Sequence, residues 1–400
     1  MKVGARGWAL AMAAAALFGT AGCLNDDPPA TQDGIHVGAL LPFTGDLATS
    51  GPSLERGITL AVEAANRAGG VAGRPLIIDV EDTHSSIERG HASADRLFAR
   101  GIAALIGPEQ SVLARELVPS LAEHGAVMIS GGISARAEGG AEPSLWFRIF
   151  PSAKAVTAEL ANRMVHDGRR TVSVLYVDDS YGQTFASFLQ NKLVSLGGQV
   201  VDSLPLPANI SSLTFPNGPP KALVLIAYPG TGALAVQQMA ATGYAGPWYF
   251  APSLDSEEFI LNTPRGYLDG AVGISPALTA DFTEFADLYE SRFHLGVPSL
   301  GANFYYDSTA VLALALTEAY QHLGRAPNGA ELAASVRSVS APAGQTVTWR
   351  ELESGLRAVA SGVKVNYRGI SGAIDFDTDG DVAQGLVRFW HVADGSIARE

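Results

Sequence analysis

From Ile35 to Phe250, short apolar runs alternate with longer stretches of helical period. That alternation restricts the chain to a parallel sheet covered by helices on both faces. The pattern predicts strands at Ile35–Leu41, Pro75–Asp82, Ile102–Ile106 and Ala126–Ile129, separated by helices over Pro52–Ala68, Ile87–Arg100 and Val112–His124. Gly69 and Gly70 stop the first of these helices. After Trp146-Phe-Arg-Ile-Phe-Pro the alternation starts afresh, with strands at 172–177, 199–204, 222–228 and 248–250 and helices over 153–167, 182–196 and 231–242. Gly270–Ser275 reads as a strand that leaves this second unit. Helices then dominate, over 281–294, 302–322, 329–338 and 351–360, before strands at 372–376 and 386–392. Two α/β units of similar size, with late elements free to return to the first, fit two lobes with a cleft between them.

A chain of 400 residues exceeds one ordinary domain. Before Cys23, Lys2 and Arg6 are the only charges; they precede an apolar run from Trp8 to Phe18 and the small residues Gly19-Thr-Ala-Gly22. This is the layout of an export signal over residues 1–22, too short to serve as a permanent membrane span. Removing those two of the 27 basic residues leaves 25 against 40 acidic ones, a formal charge of −15. With no basic run or stripe, nucleic acid is excluded as a partner class. Cys23, the single cysteine, has no internal disulfide partner. Residues 23–33, with three Asp and two Pro, read as a tether.

The stretch Gly107 to Arg136 carries the strongest hint of a site. Two hydroxyl-bearing turns, around Ser111 and at Ser130-Gly-Gly-Ile-Ser134, follow two successive strands. The carboxyl edge of such a sheet is where ligands bind. Ser111 and the free N–H groups of the next helix's first turn suit an anion. Gly131 and Gly132 allow close backbone approach. The plainer interpretation, in which Ser111 is an N-cap and the glycines only make a turn, stays open on these residues alone.

Other motifs are set aside. Asp375-Phe-Asp-Thr-Asp-Gly-Asp381 imitates the start of a calcium loop, but its twelfth position is Leu386 instead of glutamate. His84, His91 and Asp95 make no clear zinc set. Gly132-Ile-Ser-Ala-Arg136 is no nucleophile elbow, and no P-loop occurs. Asp178 and Asp179 precede a helix, where they serve as caps. Tyr181 and Tyr228 each stand open between core aromatic and ligand contact. No catalytic set, cofactor or metal is expected.

Several landmarks, in order, give the mature chain a recognisable character: Val37-Gly-Ala-Leu-Leu-Pro-Phe-Thr-Gly, Gly69-Gly-Val-Ala-Gly-Arg-Pro, Leu105-Ile-Gly-Pro, Val127-Met-Ile-Ser, Phe147-Arg148, Val177-Asp-Asp-Ser-Tyr-Gly, Gly372-Ala-Ile-Asp-Phe-Asp-Thr-Asp-Gly-Asp and Trp390-His-Val-Ala-Asp-Gly. From Ile35 to about Ser396 the chain resembles the leucine/isoleucine/valine-binding protein family, the type I periplasmic binding proteins of ABC importers. Thr20-Ala-Gly-Cys23 likewise resembles the lipobox of bacterial lipoproteins, which implies a lipid anchor at Cys23; Leu24 in place of Asp leaves outer-membrane sorting possible.

The resemblance implies two Rossmann-like lobes, 34–150 plus 276–384 and 151–275 plus 385–400, joined by three hinge crossings near 150, 276 and 385. It implies that Ser111 and Ser134, with the Gly132 and Ile133 backbone, hold a ligand carboxylate. Tyr181 and Tyr228 close from the second lobe, and Thr49 or Ser50 stands where the family often carries an aromatic lid residue. The acid that usually meets the ligand's ammonium is replaced by Ser253, leaving Asp255 as the substitute partner. Glu109 is expected to point outward, and Arg148 to form a hinge salt bridge.

The implied function is an exported, lipid-anchored substrate-binding protein that delivers a small polar ligand to an ABC permease, without chemistry of its own. An amino acid leads; an amide, another carboxylate or an aromatic acid remains open. A sensing or envelope-interaction lipoprotein of the same fold is the alternative.

Overall fold

The computed structural model describes residues 34–135, 145–207, 209–299, 301–382 and 385–399. The expected signal, the tether, Cys23 and Arg136 lie outside the described residues.

The first eight elements are β1 (Ile35–Leu41), α1 (Gly51–Arg67), β2 (Leu76–Asp82), α2 (Ile87–Ala99), β3 (Ala104–Ile106), α3 (Ser111–His124), β4 (Val127–Ser130) and β5 (Trp146–Arg148). Their strands form one five-stranded parallel sheet in the order β2-β1-β3-β4-β5. Alternation along β1 sends Ala39 and Leu41 into one core and Leu40 into another, so both faces of the sheet are covered. Hence the near-continuous apolar runs. Gly107, at φ +93° after β3, lies where an added Cβ would come within 2.4 Å of the Leu40 carbonyl. Only glycine turns the chain toward α3 at that spacing.

The second series runs α4 (Ala153–His166), β6 (Thr171–Val177), α5 (Ser180–Ser195), β7 (Gln199–Leu206), β8 (Leu223–Ile226), α6 (Pro229–Ala241), β9 (Trp248–Phe250), α7 (Glu257–Leu261) and β10 (Val272–Pro276). After it come α8 (Asp281–Phe293), α9 (Ala302–Leu323), α10 (Gly329–Ser338), β11 (Gln345–Thr348), α11 (Leu352–Ala360), β12 (Val365–Gly369), β13 (Gly372–Ala373), β14 (Val387–Ala393) and β15 (Ser396–Arg399). The second sheet has the order β15-β14-β10-β9-β8-β6-β7, with β14 antiparallel to β10.

The chain passes between the two sheets three times: after β5, after β10, and between β13 and β14. Helices α8 to α11 pack back on the first sheet, in a core shared with β1 and α1. This is a two-lobe α/β fold with a large core in each lobe.

Helix α9 is buried all round from Ala302 to Ala319, as a helix running through the middle of a lobe must be. Of its two buried carboxylates, Glu318 accepts the Ser338 hydroxyl near the helix's end, and Asp307 is fully covered nearer its start. Asp307 accepts hydrogen bonds from the Tyr367 hydroxyl at 2.9 Å, the Ile370 and Ser371 N–H groups at 3.0 and 2.7 Å, and the Ser371 hydroxyl at 2.6 Å. These clip the turn between β12 and β13 to the central helix.

The expected elements match to within a few residues, with exceptions. β5, α7, β11 and β15 carry no clear pattern, while β12 alternates over only five residues: β5 is three residues long, and Gln345-Thr-Val-Thr348 buries only Val347 well. The strand expected over 372–376 ends at Ala373, with Phe376 bridging Val382 across an Asp-rich turn.

Asp307→Ala should destabilise the protein by about 2–4 kcal/mol, because buried N–H and O–H donors lose their acceptor. Urea denaturation followed by circular dichroism reads this directly. A loss under about 0.5 kcal/mol would show that water replaces the carboxylate at no cost.

Candidate functional site

Helix N-termini from both lobes converge on one space. Ser111 opens α3, Tyr181 lies in the first turn of α5, and Tyr228 caps α6. Each helix presents N–H groups that lack intrahelical partners. Between them lies a cavity of about 600 Å³, in the size range of small-molecule sites. Its wall includes Ser50, Ser111, Gly132, Ser134, Tyr181, Tyr228, Ser253 and Asp255, brought together from both lobes. Ile133 is not at the wall; its side chain is buried in the first lobe's second core. Phe150, Leu278, Phe282 and Val297 add apolar surface, and sequence reasoning did not anticipate them.

On the first lobe, Ser111 is the first helical residue, not the cap, and Gln110 in the cap position makes no side-chain cap bond. The Ala135 N–H donates to Ser111 Oγ at 3.2 Å, which leaves the hydroxyl hydrogen for an acceptor in the cleft. The Ser134 turn is tied to a crossing: buried Arg148 donates to the Ser134 carbonyl and forms a bidentate pair with Asp381. Arg148 is thus a crossing salt bridge, as the sequence suggested. Asp381 is committed to it, and Asp377 Oδ1 accepts the Asp379 and Asp381 N–H groups. The calcium-like loop is held by these bonds.

On the second lobe, the rings of Tyr181 and Tyr228 stack with centroids 5.5 Å apart. The Tyr228 hydroxyl donates to Asp179 at 2.8 Å, while Asp179 also accepts the Gly182 N–H as the cap of α5. Ser253 donates to the Ala227 carbonyl and bonds the Tyr181 hydroxyl, both at 2.7 Å. Burial above all, and for Tyr228 the Asp179 charge, push both phenols above their ordinary range. They stay protonated and neutral.

Two side-chain contacts bridge the lobes at the cleft mouth. Thr49 donates to Glu258 at 2.6 Å and Thr231 to Asp46 at 2.9 Å. The Ser50 hydroxyl donates to the Leu47 carbonyl, within its own loop.

Two expectations about acids need correction. Asp255 was expected to meet a positive group of a ligand. Its carboxylate instead accepts Ser275 Oγ at 2.8 Å and Arg388 Nη2 at 3.2 Å, with its side chain fully covered. Arg388, from β14, neutralises it. Glu109 was expected to point outward. It lines the cavity, half-buried, and accepts the Tyr305 hydroxyl at 2.8 Å. Its carboxylate lies over Gly132, where a Cβ would fall 2.0 Å from Oε2. Desolvation pushes the Glu109 carboxyl up to about 7, against the opposing Tyr305 bond.

A family model described as periplasmic binding protein matches residues 34–386. The chain belongs to that family. Curated relatives of this periplasmic binding protein include the chemotactic signal transduction system substrate-binding protein BasB of Halobacterium salinarum, 25% identical over 85% of this chain and 83% of that one. Leu/Ile/Val-binding protein homolog 8 of Brucella abortus is 24% identical over 65% of this chain and 70% of its own. Among solved structures, the branched-chain amino acid transporter substrate-binding protein LivJ of Streptococcus pneumoniae, in complex with isoleucine, superposes with a TM-score of 0.73 at 19% identity, covering 92% of this chain and 99% of that one. The leucine binding protein LivK of Thermotoga maritima gives 0.70 at 19% identity, over 92% and 97%. The family is one of substrate-binding proteins, not enzymes. Among the described residues no helix is long and apolar enough to cross a membrane.

The site carries a pH signature. Burial lifts Glu109 from an ordinary 4.5 to about 7 and Asp307 from 3.8 to about 6. In that interval the folded state holds protons that the unfolded chain has released. Their contribution to stability is complete below the unfolded values and is lost as pH rises through about 6 and 7. Without added ligand, the urea midpoint should therefore fall between pH 5 and pH 8. Glu109→Gln should remove the upper part of that fall. An unchanged slope in the variant would mean that Glu109 titrates as an ordinary surface acid.

Proposed function

We propose that this periplasmic binding protein works outside the cytoplasm as the substrate-binding component of an ABC importer, taking an amino acid or similar small polar ligand between closing lobes. The observation that carries the reading is the single cavity wall built from both lobes, with hydroxyls and helix N-termini on one side and stacked tyrosines on the other. Ser111, Ser134 and the Gly132 backbone hold an anionic end. Tyr181 and Tyr228 close over the remainder, and Ser50 and Ser253 complete the polar wall. The moving bodies are 34–150 plus 276–384 and 151–275 plus 385–400, hinged near 150, 276 and 385. Export by the N-terminal signal and lipid attachment at Cys23 would keep the protein beside a permease in the cytoplasmic membrane.

Relatives named as Leu/Ile/Val-binding proteins and the isoleucine complex support a branched-chain or related amino acid. A sensing role is a second reading, favoured by the chemotaxis-linked relative from Halobacterium salinarum. Loss of amino-acid uptake in a deletion strain supports the importer; retained uptake with lost chemotactic response supports the sensor.

Ligand binding is tested by thermal shift on the chain from Leu24 onward, refolded to remove co-purified ligand, against amino acids, amides and carboxylates. Ligand at 100 times its Kd should stabilise the protein by about 2.7 kcal/mol. Ser111→Ala should weaken binding about tenfold, near 1.4 kcal/mol, and lower the ligand-free melting temperature modestly, because the buried Ala135 N–H loses its acceptor. Unchanged affinity in Ser111→Ala removes that serine from the site.

A further inference from the structure

The charges at the cavity wall do not all remain available to a ligand. Five charged side chains line it: Glu109, Asp255, Glu257, Glu258 and Arg388. Asp255 and Arg388 cancel one another. Glu258 receives the Thr49 hydroxyl at the cleft mouth, and Glu257 is exposed. Glu109 is different. It sits inside, and among the described residues no basic side chain pairs with it; its bond is to Tyr305 Oη from α9. A half-buried carboxylate without a counter-charge is costly, and the cost falls when a cation arrives.

Its location narrows what that cation is. Glu109 lies two residues before Ser111 and its carboxylate rests on Gly132, so it borders the hydroxyl and N–H cradle of α3. An anion-accepting edge and an anionic side chain side by side match a group that carries both signs on neighbouring atoms. An α-amino acid does. A simple carboxylate in the same cradle would face Glu109 as a like charge.

We propose that Glu109 is the acceptor for the ligand's ammonium group, so that the first lobe alone holds both charged ends of an α-amino acid. The assignment rests on the small-ligand reading above. It moves the ammonium site away from the second lobe, where Ser253 and Asp255 stand. The second lobe then contributes closure and side-chain contact: Tyr181, Tyr228 and the covered Asp255–Arg388 pair present no net charge.

The assignment fixes the sign of the pH dependence. The Glu109 carboxyl, held near 7 by desolvation, must be ionised to receive an ammonium. Groups facing it are Tyr305 from α9, whose phenol is held well above its ordinary range and stays neutral, and the uncharged Gly132 turn. Across the cavity stand the Asp255–Arg388 pair and Glu258. Amino-acid binding therefore releases a proton and strengthens from pH 6 to pH 8. A protonated Glu109 donating to a bare carboxylate would give the opposite slope.

Isothermal titration calorimetry of wild type and Glu109→Gln tests this at pH 6 and pH 8, in two buffers of different ionisation enthalpy. The probes are the twenty common amino acids, then the 2-hydroxy acid and the decarboxylated amine of the tightest one. Glutamine keeps an acceptor for Tyr305, so the fold should survive. The expected result is a loss of about tenfold or more in amino-acid affinity for Glu109→Gln, with proton release abolished. The 2-hydroxy acid should bind that variant at least as well as wild type. Equal amino-acid affinity in both proteins, or proton uptake on binding, overturns the assignment while leaving the binding site intact. No heat from any amino acid with wild type overturns it together with the amino-acid reading.

Discussion

Parallel strands need crossover helices, and every helix that leaves the carboxyl edge of such a sheet starts with N–H groups that its own turns cannot satisfy. This protein builds two such edges and turns them toward each other. Neither edge can be sealed by packing alone, because its polar groups need partners. The cleft is therefore a consequence of the two sheets, and α3, α5 and α6 supply its walls. What distinguishes the site is that, once Asp255 meets Arg388, Glu109 is left inside the cavity with no basic partner among the described residues.

The crossings between the lobes are held by polar ties of their own. Arg148, buried beside the first crossing, joins the Ser134 carbonyl to Asp381 near the third. The turn that holds Ser134 is thereby fixed to the hinge region, within the first lobe. By contrast, the bonds across the cleft mouth, Thr49 to Glu258 and Thr231 to Asp46, join side chains on the surface. Exposed hydrogen bonds of this kind contribute little each, so opening costs little.

Much of this was legible in the sequence. Sheets buried on both faces leave unbroken apolar strands, which is why β1, β6 and β8 could be read directly. The hydroxyls of Ser111 and Ser134 and the two tyrosines follow strands, so the rule that ligands bind at carboxyl edges brought them to the same place. The acids could not be read that way. Glu109 turns inward because Gly132 leaves room and Tyr305 donates from 196 residues away. Asp255 stays at the cavity wall but is taken up by Arg388, 133 residues later. Side-chain direction in these loops is set by distant partners that no local pattern announces. The small sheet of β11 to β13 was equally hidden, since its strands are short and half polar.

The central claim is that two lobes close on a small ligand. Residues from Leu24 onward contain no cysteine, so spin labels can be placed at Val194→Cys on α5 and Leu288→Cys on α8, both exposed and on different lobes. Distances between them, from double electron–electron resonance, would be compared in ligand-free protein and with saturating amino acid. The account predicts a broad or longer ligand-free distribution that collapses to one shorter distance. An identical distribution in both states, with binding confirmed in the same sample, would contradict closure.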